Sequence, residues 1–297
     1  TGATAAELNA LQAKTSVAVD ADNIGGTATG IEASSSSDIT TLYTGTVPTG
    51  IADAKISVND TTIDAATLNT INGYTTGDVT TTAVTISGNA GAIETALTAS
   101  GSGIVYSRTL AGANAVTVTV TDTTVDAANL VDVDALTDGL VTVSSSATSI
   151  TGTLTEVQSA FTAAAAGTPT IAGLGSLNVT LDDPDTAGTQ SYAVSGIHTL
   201  IDTLTGWTGK VTATVTEGDV NTLKNATTGL TGTGHSLTVT VTDPTLTAAE
   251  LNTIDAVTVL PVVLAPSKTG VAAFDGAQND GATADRDDDK TFTEIAA

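Results

Sequence analysis

The sequence predicts an α/β repeat fold, a solenoid of strand-then-helix units of about 30 residues, paired into a double repeat of about 61, whose equivalent strands form a parallel sheet with helices along the other side. Three observations predict it. A recurring anchor ends in aspartate at Asp60, Asp122, Asp183 and Asp243, with spacings of 62, 61 and 60. The text after three of these anchors repeats, as Asp64-Ala-Ala-Thr-Leu68-Asn-Thr-Ile71, Asp126-Ala-Ala-Asn-Leu130-Val-Asp-Val133 and Thr247-Ala-Ala-Glu-Leu251-Asn-Thr-Ile254. The chain also opens on that text, as Thr4-Ala-Ala-Glu-Leu8-Asn-Ala-Leu11, four periods before Thr247. Residues 1–260 therefore read as tandem repeats with anchors near residues 1, 60, 122, 183 and 243, and residues 261–297 as an irregular acidic tail or junction. The first copy lacks its strand, so the chain is expected to begin part-way through a repeat of a longer array.

Each period holds two strand–helix units. In the copy anchored at Asp122, Val116-Thr-Val-Thr-Val120 alternates with period two, as a half-buried strand does. Ala127, Leu130, Val133 and Leu136 then recur at three-residue intervals along one side of a short helix, with Thr124 or Asp126 placed to cap its start and Asp138-Gly139 to end it. In the second half, Val141-Thr-Val143 and Ala147-Thr-Ser-Ile150 read as extended, and Thr153-Leu-Thr-Glu156 as a capping box opening a helix through Phe161 to Ala165. One period earlier the counterparts are Val84-Thr-Ile86 and Ile93-Glu-Thr-Ala-Leu97; one period later they are residues 210–215 and Val220-Asn-Thr-Leu223. Thr4 with Glu7 and Thr247 with Glu250 repeat the capping pattern. The alternative, a row of all-β Ig-like sandwiches, needs about seven short strands per ~100 residues and little helix, which the capped Ala/Leu segments oppose.

Composition narrows the function classes. Aromatic residues make up 3% of the chain, so the interior must be filled by Val, Ile, Leu and Ala in thin layers. Thirty-two acidic residues against eight basic ones give a net charge of −24, which repels nucleic-acid phosphates and anionic membranes. Without cysteine there is neither a disulfide framework nor a thiolate metal site. No stretch approaches the ~20 apolar residues of a membrane span. A Thr-rich, Lys-poor, strongly acidic chain of this kind is expected outside the cell.

Two readings stand for the strand-end aspartates Asp60, Asp122, Asp183 and Asp243. They form Asx-turns or cap helices, or they join Thr hydroxyls and carbonyls as ligands of a hard cation such as calcium. In stacked repeats they would form a carboxylate row, with neighbours two strands, or about 10 Å, apart. Denser acidic clusters are the better calcium candidates: Asp182, Asp183 and Asp185 around Pro184, and Asp275, Asp280, Asp285, Asp287, Asp288 and Asp289 in the tail. Asp285, Asp287 and Asp289 have the opening spacing of an EF-hand loop, but Lys290 stands where its turn glycine belongs.

Little points to catalysis. His198 and His235, the only histidines, read as surface residues; His198 and Asp202 are four apart on a predicted helix without a nucleophile motif beside them. Trp207 with Tyr192 could stack on a sugar ring; the other reading is that the single Trp fills an irregular gap in the repeat. Asn59-Asp-Thr61, Asn178-Val-Thr180 and Asn225-Ala-Thr227 match the glycosylation pattern in a chain where Thr is abundant.

The stretch from Val118-Thr-Val-Thr-Asp through Leu136, continued by Val141 to Ala163, resembles the Thr/Ala/Asp-rich tandem repeats of giant cyanobacterial cell-surface proteins, of surface-layer or adhesin kind. It is also similar to repeats in the fibres of phages that infect these bacteria. The likeness covers most of residues 1–260, and the tail departs from it. The resemblance implies an extracellular structural or adhesive role and no catalytic residues. The expected function is a non-enzymatic segment that associates with copies of itself into a surface layer, sheath or filament. Alternatives are a phage fibre on a virion and a calcium-dependent adhesin or glycan-binding module.

Overall fold

The computed structural model describes residues 2–22, 30–99, 103–106, 109–110, 113–182, 190–203, 207–225, 227–243 and 247–264. They form two compact units, Thr1–Ala147 with Thr162–Gly173, and Thr148–Phe161 with Leu174–Ala297. In chain order the elements are β1 (Ala3–Thr4), α1 (Ala5–Gln12), β2 (Ile31–Ser34), α2 (Ser36–Thr44), β3 (Ile56–Val58), β4 (Thr62–Asp64), α3 (Ala65–Asn72), β5 (Val79–Thr81), β6 (Thr85–Gly88), α4 (Ala90–Thr98), β7 (Ile104–Tyr106), β8 (Thr109–Leu110), β9 (Ala113–Asn114), β10 (Thr117–Val120), β11 (Thr124–Asp126), α5 (Ala127–Ala135) and β12 (Val141–Val143). They continue as β13 (Ser149–Gly152), α6 (Leu154–Ala165), β14 (Ile171–Ala172), β15 (Asn178–Leu181), β16 (Ser191–Tyr192), α7 (Val194–Thr203), β17 (Val211–Val215), α8 (Val220–Leu223), β18 (Ser236–Thr238), β19 (Thr240–Val241), α9 (Ala248–Asp255) and β20 (Val263–Leu264).

The chain is mixed α/β, with helices alternating with parallel strands, as predicted, and not an all-β array. The strands of the first unit do not form one continuous sheet. One sheet runs β1-β2-β3-β5-β7 and a second β4-β6-β10-β12-β14, every pairing in them parallel. The chain changes sheet at the Asp60 anchor and again between β5 and β6. β3 lies in the first sheet, the chain turns at Asp60, and β4 starts the second. Asp60 and Asp122 follow strands of different sheets, β3 and β10, so the expected carboxylate row along a single sheet is not formed. In the second unit β13, β15 and β17 are parallel neighbours, and both β16 and β18 pair with β17.

The core follows from the two periodicities. Ile56 and Val58 in β3, and Val118 and Val120 in β10, are buried, while the alternate Ser57, Thr117 and Thr119 are only partly covered. Leu68 and Ile71 of α3, and Leu130 and Val133 of α5, are fully buried at the three-residue spacing read from the sequence. Successive helices α1 to α5 pack side by side. Asparagines link two of these pairs: Asn9 Nδ2 donates to the Asp38 carbonyl and Asn69 Nδ2 to that of Ala92, each at 2.9 Å.

After the helices a threonine ties the chain back to an earlier strand. Thr75 Oγ1 donates to the Ala54 carbonyl and Thr137 Oγ1 to that of Val116, both at 2.6 Å, and Thr258 Oγ1 does the same to Leu237 at 2.8 Å. Two residues on, Gly77 and Gly139 allow the backbones to meet. A Cβ on Gly139 would stand 2.1 Å from the Val116 oxygen, and one on Gly77 2.6 Å from that of Asp53. Across the same layers Tyr43 and Tyr74 stack at 4.9 Å, and Tyr43 Oη donates to the Ile51 carbonyl at 3.0 Å. Burial, with Asp53 nearby, pushes the Tyr43 phenol up to about 12.

Candidate functional site

The most regular polar feature of the chain, the strand-end acid, is placed at helix N-termini. A helix leaves its first four N–H groups without internal partners and carries a partial positive charge there. Here the groups are met from two directions. Before seven of the described helices the preceding residue supplies one acceptor: Thr4, Ser35, Asp64, Asn89, Asp126, Asp219 and Thr247 each accept from the backbone N–H three residues on, whereas α7 follows Ala193. Thr4/Glu7 and Thr247/Glu250 close capping boxes, and Thr153/Glu156 makes the same reciprocal bonds at 2.8 and 3.3 Å.

The second acceptor comes from the following strand–helix unit, here called a coil. Asp60 Oδ2 accepts from Ser36 N at 2.7 Å, the first residue of α2, and Asp122 Oδ2 from Ala90 N at 2.8 Å, the first residue of α4. In the second unit Asp243 accepts from Val220 N at the start of α8, and Glu217 from Val194 N at 2.8 Å at the start of α7. Ser34 Oγ does the same for Ala5 N of α1 at 2.9 Å. The capping alternative thus describes Asp60, Asp122 and Asp243, but the helix each one meets belongs to the coil before it. Glu217 and Ser34 were not among the anchors; their only sequence signal is a polar residue at or just past a strand end.

This arrangement answers a charge problem. Eight Lys and Arg cannot pair with 32 acids, and helix N-termini act as the positive partners. The Thr222 backbone N–H holds the Asp219 carboxyl below its usual range. Lys224, bonded to Glu250 across two coils, together with the Thr247 cap, lowers Glu250 to about 2.

The chain matches no protein-family model, no curated protein and no solved structure. What its sites can do must be read from its own residues. Among the described residues no group of three or more His, Asp or Glu side chains is placed to hold a metal ion. Asp182 is exposed at the end of β15. The other calcium candidates, Asp183, Asp185, Asp275, Asp280, Asp285, Asp287, Asp288 and Asp289, lie outside the described residues. Among the described residues no helix is long and apolar enough to cross a membrane.

Both histidines depart from the surface reading, at 8% exposure for His198 and 4% for His235. His198 lies on α7, with Nε2 3.0 Å from Asp202 Oδ2, the predicted four-residue pair. Its ring is covered because it falls on the same side of the helix as Val194 and Ile197. His235 Nδ1 accepts from Val211 N at 3.1 Å, and its ring stacks on Trp207 at 6.3 Å. Trp207 in turn donates to the Leu177 carbonyl at 2.8 Å and meets Phe161 edge-on at 6.4 Å. Tyr192 Oη donates to Gln190 at 3.2 Å. The indole is thus a packing element between strands, which explains its place in a chain otherwise poor in aromatics.

One prediction separates capping from metal binding at the anchors. Asp122→Ala should destabilise the first unit by about 1–2 kcal/mol, as loss of a helix-capping carboxylate does, and Asp122→Asn should recover part of it. Urea midpoints should show the same loss with calcium and with chelator. A loss present only with calcium would overturn the capping role.

Proposed function

We propose that this chain is a non-enzymatic structural segment of an extracellular repeat protein, which associates with copies of itself into a surface layer, sheath or filament. The observation that carries this reading is the use of the recurring acids. Residues repeated for chemistry would converge on a pocket, whereas Asp60, Asp122 and Asp243 each join one coil to the next. The Thr75 and Thr137 hydroxyls and the Asn9 and Asn69 amides do the same. A repeat whose polar positions serve stacking is suited to extension and load, not to turnover.

Calcium enters the proposal as an ion of assembly. With a net charge of −24, neighbouring molecules repel one another until divalent cations neutralise part of that charge. Asp182 and the acids near it and in the tail are the groups proposed to hold such ions. Sedimentation velocity and negative-stain imaging across protein concentration should show ordered assemblies that calcium promotes and a chelator disperses. The circular-dichroism melt should stay in place on chelation, because the anchor carboxylates have N–H partners. A monomer at every concentration, with calcium or without, would sink the reading.

A further inference from the structure

Two of the chain's four tyrosines meet where α2 and α3 pack, and the repeat text accounts for neither. Tyr43 stands eight residues after the capping residue Ser35, and Tyr74 ten after Asp64. At the first of these places the four copies of the Ala-Ala-x-Leu text carry Gln12, Asn72, Asp134 and Asp255. At the second, the three copies other than that of Tyr74 carry Lys14, Leu136 and Val257. Those coils stack without a ring at either position, so the pair is particular to the junction between α2 and α3.

One short segment holds both residues in place. Tyr43, in the last turn of α2, donates from Oη to the Ile51 carbonyl at 3.0 Å. Directly after Tyr74, Thr75 Oγ1 donates to the Ala54 carbonyl at 2.6 Å and Thr76 N to that of Ala52 at 2.9 Å. Residues 51–54 thus fix the Tyr43 ring by its hydroxyl and the Tyr74 backbone by its neighbours. The result is a nearly parallel stack, with ring planes 3° apart and centroids 4.9 Å apart, an offset pair in van der Waals contact. Each tyrosine keeps part of its surface in solvent, open to an oxidant. Without cysteine, no disulfide can join one coil to another.

We propose that Tyr43 and Tyr74 are a preformed site of oxidative cross-linking, at which hydrogen peroxide and a haem peroxidase join the two rings as dityrosine and staple one coil to the next. Each phenol gives one electron to the peroxidase and its O–H proton to water, leaving two phenoxyl radicals. These couple in a carbon–carbon bond between ring positions ortho to the hydroxyls. The hydrogens on those two carbons then leave as protons, and the phenol oxygens take up protons from water. Two electrons and two protons are lost in all, and they reduce one hydrogen peroxide to two waters. Radicals held in contact combine within the pair, the advantage of a reaction made unimolecular. The staple lies within one chain, so it goes beyond the self-association reading and does not depend on it.

The test treats the whole chain with hydrogen peroxide and a haem peroxidase and then digests it with trypsin. Cleavage at Lys55 separates residues 15–55, which hold Tyr43, from residues 56–108, which hold Tyr74. The expected product is these two peptides linked with loss of two hydrogen atoms, from a chain that still runs as a monomer on a denaturing gel. Fragmentation should place the bond at Tyr43 and Tyr74. Its yield should hold on roughly tenfold dilution, as a bond formed within one chain does. Tyr74→Phe, which keeps a ring for stacking, should abolish the product, whereas Tyr192→Phe should leave it unchanged. No linked peptide, a link that persists in Tyr74→Phe, or a link confined to chain dimers overturns the proposal.

Discussion

Leu130→Ala is expected to destabilise the first unit by roughly 2–5 kcal/mol, the range for a buried leucine truncated where the surroundings cannot collapse. Leu130 is 0% exposed and sits in the middle of α5, between Ala127 and Val133, which are equally buried. The same helix position is Leu8 in α1, Leu68 in α3 and Leu251 in α9, each at most 3% exposed, so the side chain is part of how one coil covers the next. With aromatic residues only 3% of the chain, no large ring lies ready to fill the space. Leu140→Ala tests the specificity of the effect, since that leucine is 41% exposed and its loss should stay within about 0.5 kcal/mol. Urea midpoints at unchanged slope would measure both. Equal effects of the two substitutions would mean that the periodicity does not define the core.

The order of strands and helices was legible because the same local logic is written several times. Val116 to Val120 alternates, the Ala-Ala-x-Leu text carries the helix period, and Thr4/Glu7, Thr153/Glu156 and Thr247/Glu250 announce helix starts without any tertiary information. The division into separate sheets was not legible. β4 and β11 are three residues each, Thr62-Ile-Asp64 and Thr124-Val-Asp126, too short to show a period of two. Their last residues cap helices, so they read as the approach to a helix. Which sheet such a piece joins depends on the coil stacked beside it. Nor does the repeat text announce α2, whose Ser36-Ser-Asp-Ile-Thr sequence buries only Ile39 and Leu42.

At the anchors, residue type and position indicated a cap, but the partner could not be read. Ser36 is 24 residues from Asp60 and Ala90 is 32 from Asp122, separations that vary with the loop between coils. Only the stacked geometry brings them together. The histidines failed for the opposite reason. A lone polar residue among Thr and Gly reads as exposed, and nothing near His235 in sequence shows that Trp207 and the Val211 N–H will surround it. The available signal was its place directly before a strand, in a turn close to where Thr75, Thr137 and Thr258 stand before theirs.

That burial makes the second unit acid-sensitive at a mild pH. Desolvation, with Lys210 beside the ring, holds His235 below its usual 6.5, and its Nδ1 already accepts the Val211 N–H. A proton on that nitrogen would end the hydrogen bond and set a cation against Lys210. Because the folded state resists the proton more than the unfolded state does, the stabilisation is present above about pH 6.5 and declines as pH falls from there toward the folded-state value. The carboxylates act lower down: Glu250, held at about 2, contributes stability above about 4.5 that is lost as pH falls toward 2. The stability of the second unit should therefore fall in two separated windows. Trp207, the only tryptophan and stacked on His235, reports the first. Urea titrations followed by its fluorescence should show a midpoint that drops as pH falls below about 6.5. His235→Asn, which keeps an acceptor for Val211 N but has no ring to protonate, should remove that drop and leave the more acidic one. If the drop persists in the asparagine variant, the buried His235 imidazole is not its source.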